Sequence, residues 1–381
     1  MPMKYTFWQV LADIWPVLIL AYVAGLVLTP LCRYLAHRWD VVDRPDNLLK
    51  THARTVAYLG GLAVYVSFVL ALVAIGIYYA QPWRLLVAIG ASSTIITVTG
   101  LLDDLFDLAP RKKVMGQALS AIVLYGGLFW YYQSLDQPRG FYPADNFWEP
   151  LGLHLPAWFD FSASMLLAIL LVIAATNATN LLDGLDGLCG GVSGIMALAF
   201  AALAVLLACY GRYPDTDRTR VLLALAMAGA VLGFLPYNIP PASIFLGDAG
   251  SMLLGFFVAV MMLLFSVEGT GRWVLASCVI FGLPIIDTGL AVVRRALAGV
   301  NIFSGDRSHL YDQLVDRGMS VPKVVVLFYV LAVVAAGVGI LQAHYLQVRY
   351  ALPLDLLMLA FFAVIFIKTG MIRQTRGHSQ A

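Results

Sequence analysis

Charge is what this chain has least of: 12% of its 381 residues are Asp, Glu, Lys or Arg, and 24 basic side chains nearly cancel 22 acidic ones to leave +2. A soluble domain carries about twice that share of charge, so an ordinary soluble fold is excluded. A surplus this small gives no electrostatic grip on nucleic acid, and no such partner is expected. Cysteine is nearly as scarce. Cys32, Cys189, Cys209 and Cys278 form no C-x-x-C and no Cys/His grouping, which argues against a disulfide framework or a zinc site and leaves them as small packing residues. Also lacking are an internal repeat of the kind transporters show, a low-complexity tract, a second domain and a cleavable signal. The first apolar run is long enough to span a bilayer and to act as its own anchor.

What the chain has is apolar length: 61% hydrophobic residues and a mean hydropathy of +0.84. It reads as an all-α, polytopic transmembrane helical bundle, a single membrane domain over residues 1–381. Eleven spans are predicted near 13–36, 59–80, 84–102, 114–132, 164–182, 189–210, 220–236, 249–267, 273–298, 324–343 and 352–369. Sixteen Lys and Arg, from Arg33–Arg54, Arg111–Lys113, Arg294–Arg295, Arg307–Lys323 and Lys368–Arg376, fall on the side reached after odd-numbered spans, and the other eight on the opposite side. The positive-inside rule makes the first side cytoplasmic, with the N-terminus outside and the C-terminus inside. Segment 133–163, rich in aromatics and proline, reads as an external loop or interfacial hairpin.

The polar chemistry is concentrated in the loops after odd-numbered spans. After span 5 comes Asn177-Ala-Thr-Asn180-Leu-Leu-Asp183-Gly184-Leu-Asp186-Gly187-Leu188. Ionisable groups at a membrane edge cost a few kcal/mol, so they mark a site for something charged. Asn177 and Asn180 share a helix face, while the glycines break the helix and set Asp183 and Asp186 on a turn. Oxygen-rich groups at a helix end suit Mg²⁺ and its phosphate ligands. After span 1, Lys50 and His52 could hold phosphate, although a merely basic cytoplasmic loop would look similar. After span 3, Asp103 and Asp104 are followed by Arg111-Lys112-Lys113; adjacent carboxylates point apart, so the pair serves two tasks. After span 7, Asn238 precedes Gly247-Asp248-Ala-Gly250-Ser251, where glycines flank an aspartate at a helix start. After span 9 come Asp287, Arg294-Arg295 and Asp306-Arg307-Ser308-His309. A capped helix end or a solvated loop accounts for each motif alone; five on one side point to one cytoplasmic cleft suited to phosphoryl transfer from a soluble nucleotide to a lipid.

Asp103-Asp104, the N-x-x-N-x-x-D-G-x-D-G-L run at 177–188, the P-Y-N-x-x-P-A and G-D-x-G-S runs at 236–251, and Asp306-Arg-Ser-His309 resemble the signature loops of the polyprenyl-phosphate N-acetylhexosamine-1-phosphate transferases of glycosyltransferase family 4. The likeness lies within residues 43–314 and is greater to the GlcNAc-1-phosphate branch (undecaprenyl-phosphate acceptors) than to the MurNAc-pentapeptide branch. It implies transfer of a HexNAc-1-phosphate from a UDP-N-acetylhexosamine to a polyprenyl phosphate with release of UMP, at the cytoplasmic face of the bacterial inner membrane, the first membrane step of a cell-surface glycan. It further implies Mg²⁺, with Mn²⁺ as a substitute, held by Asn180 and Asp248, with Asp103 beside the reacting phosphates as base or metal-associated carboxylate. Asp104 would pair with Lys113, which steadies the pyrophosphate. Asn177, Asp183, Asp186 and Asn238 would line the nucleotide-sugar cleft, Lys50 and His52 would lie near the phosphates, and Arg307 and His309 would reach pyrophosphate or sugar. A homodimer is compatible with all of this. Three departures stand out: Asp107, Thr55 and Ala57 where the first loop has prolines, and Tyr311 and Asp312 in place of two histidines. The competing class is an ion-coupled secondary transporter, which would place its acids near the bilayer midplane between paired broken helices.

Overall fold

The computed structural model describes residues 12, 14–44, 55–135, 142–144, 155–210, 214–266, 271–299 and 309–372. Lys50, His52 and Arg307 lie outside the described residues, as does most of the predicted hairpin at 133–163. The helices are α1 (Trp15–Arg38), α2 (Gly60–Tyr78), α3 (Trp83–Phe106), α4 (Pro110–Gln133), α5 (Ala157–Leu181), α6 (Leu188–Tyr210), α7 (Pro214–Asn238), α8 (Gly247–Ser266), α9 (Arg272–Ile280), α10 (Gly282–Leu297), α11 (Leu310–Asp316), α12 (Val321–Tyr345) and α13 (Val348–Lys368). Two short strands, β1 (Val42–Asp43) and β2 (Val56–Ala57), pair antiparallel ahead of α2. Ten of these helices are long and apolar enough to cross a membrane. The chain is an all-α multi-pass membrane protein.

The ninth and fifth spans differ most from their sequence reading. The ninth, expected as one helix over 273–298, is the pair α9 and α10 bent by 70° at Phe281. The C-terminal piece is amphipathic: it buries Asp287, Arg294 and Arg295 and exposes Val292, Val293 and Leu297, so it cannot continue straight among apolar neighbours. The fifth begins at Ala157 rather than 164, with Pro156 at the N-cap and Asp160 in the first turn, both of which favour a helix start there.

The bundle is built around α8. It is 94% buried, whereas α13, of similar hydropathy (2.3 against 2.2), is 11% buried and faces outward with leucines and phenylalanines. Small residues let the neighbouring backbones close on it: Gly61 of α2 runs against Gly250, and Gly100 of α3 against Asp248 and Ala249. At its far end Arg220 of α7 donates from Nη2 and Nε to the Leu264 carbonyl at 2.6 and 3.1 Å, and pairs with buried Asp217. Leu264 lies in the last turn of α8, where carbonyls lack helical partners, so a buried cation there satisfies both hydrogen bonding and the helix dipole.

Close packing at Gly100 is therefore a stability requirement. A Cβ there would lie 2.5 Å from the Asp248 carbonyl oxygen and 2.6 Å from the Ala249 nitrogen, while one at Gly126 of α4 meets nothing within 4 Å. Gly100→Ala is expected to lower the thermal midpoint of the purified protein by at least ~4 °C, and Gly126→Ala to leave it unchanged or raise it. Equal midpoints for the two variants would refute the packing account.

Candidate active site

The ends of α3, α4, α5 and α8 meet at one place. The two adjacent acids that close α3 point in different directions and do different work. Asp104 accepts the Asp248 N–H at 2.7 Å on Oδ1 and the Ala249 N–H at 3.0 Å on Oδ2, so both oxygens cap the first turn of α8 from a neighbouring helix. That geometry needs Gly247, which takes φ +72° and whose missing Cβ would sit 2.8 Å from the Asp104 carboxylate. Asp103 accepts the Leu108 N–H at 2.8 Å on Oδ1 and turns Oδ2 to the Lys113 ammonium. Lys113 Nζ also donates to Asp248 Oδ2 at 3.0 Å. The lysine thus pairs with Asp103 and Asp248, not with Asp104 as the resemblance implies: Asp104 has both oxygens on the α8 backbone.

The α5 carboxamides complete this centre. Asn180 Nδ2 donates to Asp248 Oδ1 at 2.7 Å and to Ser251 Oγ at 3.0 Å, which orients the carboxylate. Asn177 Nδ2 donates to Gln117 Oε1 at 3.0 Å and to the Ile173 carbonyl at 2.7 Å. Gln117 was not singled out from sequence, yet it lies four residues after Lys113 on the same face of α4, a spacing that could have found it.

The turn at 182–187 is tied down on several sides. Its N–H at Gly187 goes to Asn238 Oδ1 at 3.1 Å, its carbonyl there accepts the Tyr329 hydroxyl at 2.6 Å, and Asp186 Oδ2 accepts the Ala242 N–H at 2.9 Å. Asn238 is buried, with its amide nitrogen on the Ile244 carbonyl at 3.0 Å. Both its ends are engaged, so it holds this loop. Asp183 stands in the turn, and burial together with the charges of Asp248, Asp104 and Asp186 pushes its pKa well above the usual carboxylate range.

His309 is held by Asp287 of α10. Its Nδ1 lies 2.9 Å from Asp287 Oδ2, while the Leu310 N–H donates to Asp287 Oδ1 at 2.6 Å. A carboxylate on one imidazole nitrogen sets the ring's orientation. Tyr311, one of the departures noted above, stacks on His309 at 5.5 Å and donates its hydroxyl to the Leu181 carbonyl at 3.0 Å, thereby joining α11 to the end of α5.

In chemical terms the centre offers two carboxylates sharing one ammonium, an amide beside them, and further acids around the rim. Among the described residues no three His, Cys, Asp or Glu side chains are drawn together to hold a metal by themselves. Mg²⁺ commonly takes one or two carboxylates and completes its shell from water and substrate phosphates, and the oxygens of Asp103 and Asp248 fit that pattern.

A family model described as glycosyl transferase family 4 matches residues 86–266, which include the α3 acids, the α5 carboxamides and Asp248. A decaprenyl-phosphate N-acetylglucosaminephosphotransferase of Mycobacterium leprae is 33% identical over 81% of this chain and 79% of its own length. The chain belongs to glycosyl transferase family 4. Other members are similar along most of their length: a probable undecaprenyl-phosphate N-acetylglucosaminyl 1-phosphate transferase of Bacillus subtilis is 28% identical over 93% of this chain and 92% of the relative. An undecaprenyl-phosphate alpha-N-acetylglucosaminyl 1-phosphate transferase of Haemophilus influenzae is 29% identical, with 93% of each chain covered. Membership in this family makes the chain a phosphotransferase.

The two α3 acids should separate experimentally. Asp104→Asn removes one of two caps and a charge at the α8 N-terminus, and is expected to cost about 1–2 kcal/mol of stability along with activity. Asp103→Asn should leave the thermal midpoint nearly unchanged and lower turnover about 10²-fold or more. Asp104→Asn with wild-type stability would overturn the capping assignment. A third carboxylate gives a pH test. Burial raises the Asp312 pKa to about 6, partly offset by His309. A raised acid favours the fold fully below the unfolded pKa of about 3.9, and that contribution is lost as pH rises through about 6. Asp312→Asn is thus expected to raise the thermal midpoint at pH 8, with the gain vanishing toward pH 4; a pH-independent difference would contradict it.

Proposed function

We propose that the protein transfers GlcNAc-1-phosphate from UDP-GlcNAc to a polyprenyl phosphate at the cytoplasmic face of the inner membrane, giving the polyprenyl-diphosphate sugar and UMP. The observation that carries the reading is the Asp103–Lys113–Asp248 cluster at converging helix ends, in a chain whose relatives are named for GlcNAc-1-phosphate transfer to polyprenyl phosphates. The basic asymmetry of the loops supports the cytoplasmic orientation. An oxygen of the acceptor phosphate forms a bond to the β-phosphorus of the donor, and the bridging oxygen leaves with UMP. A phosphate monoester is largely ionised near neutral pH, so the acceptor needs no covalent enzyme intermediate to become nucleophilic. Mg²⁺, held by Asp248 and Asp103 with Asn180 alongside, would supply charge neutralisation for the diphosphate. Lys113 would exchange a carboxylate partner for a phosphate oxygen as substrate binds, and Asp103 would align the acceptor. The transporter alternative requires paired broken helices in two halves; one bent pair is found among the described residues, and the acids gather at helix ends.

The test is UMP release by purified protein given a polyprenyl phosphate, a panel of UDP-sugars and Mg²⁺. UDP-GlcNAc is expected to be used best, chelation to abolish turnover, and sealed vesicles to respond to external UDP-sugar only when inside-out. Turnover in the presence of a chelator, or none with any UDP-HexNAc, would reject the proposal.

A further inference from the structure

Tyr58 is a polar residue of this site that neither the motifs nor the family likeness singles out. Its backbone is fixed closely. Val42 pairs with Ala57 and Asp43 with Val56, and the Tyr58 N–H donates to the Val41 carbonyl at 3.2 Å. Ala57 then bridges in parallel to Ile244: the Phe245 N–H donates to the Ala57 carbonyl at 2.8 Å, and the N–H groups of Gly60 and Gly61 donate to the carbonyls of Phe245 and Leu246 at 3.0 and 2.8 Å. Residues 57–61 therefore run beside 244–246, the segment that delivers Asp248 to the start of α8. Ala57 is fully buried, and Tyr58 next to it is half-buried between buried Ala57 and Leu59. Its ring is held edge-on by Phe245, with centroids 6.0 Å apart and planes at 89°.

The surroundings of that ring are acidic. Burial pushes the phenol's pKa up, and the charges of Asp104, Asp248, Asp183 and Asp43 add to it, so the hydroxyl keeps its proton throughout the physiological range. Among the described residues the hydroxyl has no hydrogen-bond partner. A diphosphate entering a pocket rimmed by carboxylates meets repulsion unless donors face it. Lys113 is one such donor and is shared between Asp103 and Asp248.

We propose that Tyr58 is a substrate-binding residue of this site, whose hydroxyl donates a hydrogen bond to a diphosphate oxygen of the nucleotide-sugar. The inference rests on the UDP-sugar reading above and adds a neutral donor to it. A neutral O–H suits the position: it can bond an anionic oxygen without being captured by the neighbouring acids as a second salt bridge.

The experiment compares wild type with Tyr58→Phe, which keeps the ring against Phe245 and removes the hydroxyl. Binding of UDP, UDP-GlcNAc and uridine to the full-length protein in Mg²⁺ is measured by competition. Tyr58→Phe is expected to weaken UDP and UDP-GlcNAc about ten-fold, to leave uridine within two-fold, and to hold the thermal midpoint. UDP binding within two-fold of wild type would overturn the contact, as would an equal loss for uridine. Phe245→Leu loosens the ring but retains the hydroxyl, and if it weakens UDP as much as Tyr58→Phe does, packing and not contact is responsible. Wild type that binds UDP yet releases no UMP with any polyprenyl phosphate defeats the transfer reading alone; normal turnover with an unaffected Tyr58→Phe defeats this inference alone.

Discussion

The two hydrogen bonds that Asp104 accepts from the start of α8 are the contact on which the site depends. Four backbone N–H groups open every helix without an intrahelical partner, and inside a bundle they cannot turn to water. Here a carboxylate from α3 takes two of them and complements the positive end of the helix. At the other end the Arg220 guanidinium takes a terminal carbonyl. The central helix is thereby held at both ends by charge of the sign its dipole calls for. Since Asp248 is the second residue of α8, fixing that end also fixes the carboxylate that meets Lys113 and Asn180.

From that anchor the remaining geometry follows by steric necessity. Gly61 and Gly100 let α2 and α3 approach the first turn of α8 at backbone distance, which brings Asp103 within reach of Lys113 and Asp248. The β1–β2 pair lies along the segment before Gly247, and Asn238, Asp186 and Tyr329 bind the 182–187 turn to the same region. Residues that look like ligands in the sequence thus divide into two groups. Asp104 and Asn238 are engaged by backbone and act through the residues they hold. Asp103, Asp248, Asn180 and Lys113 bond to one another side chain to side chain where the helix ends converge.

A site at helix ends, assembled from α3, α4, α5 and α8, is sensitive to the packing of the bundle rather than to any single loop. The departure at Tyr311 illustrates this. Where relatives are expected to carry a histidine, the phenol reaches the Leu181 carbonyl and stacks on His309, so α11 is coupled directly to the end of the helix that bears Asn177 and Asn180. His309 is in turn held by Asp287 on the bent segment α10.

The helical, membrane-spanning character of the chain and the clustering of polar motifs after odd-numbered spans were legible in the sequence alone, because hydrophobic length and charge position are local properties of a chain in a bilayer. Motif order also sufficed to bring Asp103, Asp248, Asn180 and Lys113 under suspicion. What only the tertiary structure decided is the division of labour among them. Asp103 and Asp104 are identical in kind and adjacent in sequence; which one meets the lysine and which one caps α8 depends on the direction each takes from α3 toward a helix that begins 140 or so residues later. Burial was equally illegible: α8 and α13 have nearly the same hydropathy, since lipid and protein interior are alike apolar, and only packing tells a central helix from a peripheral one. The bend at Phe281 belongs to the same class, for Asp287 on the buried face of the second piece is received by the Leu310 N–H and the His309 ring, which only the folded chain brings to it.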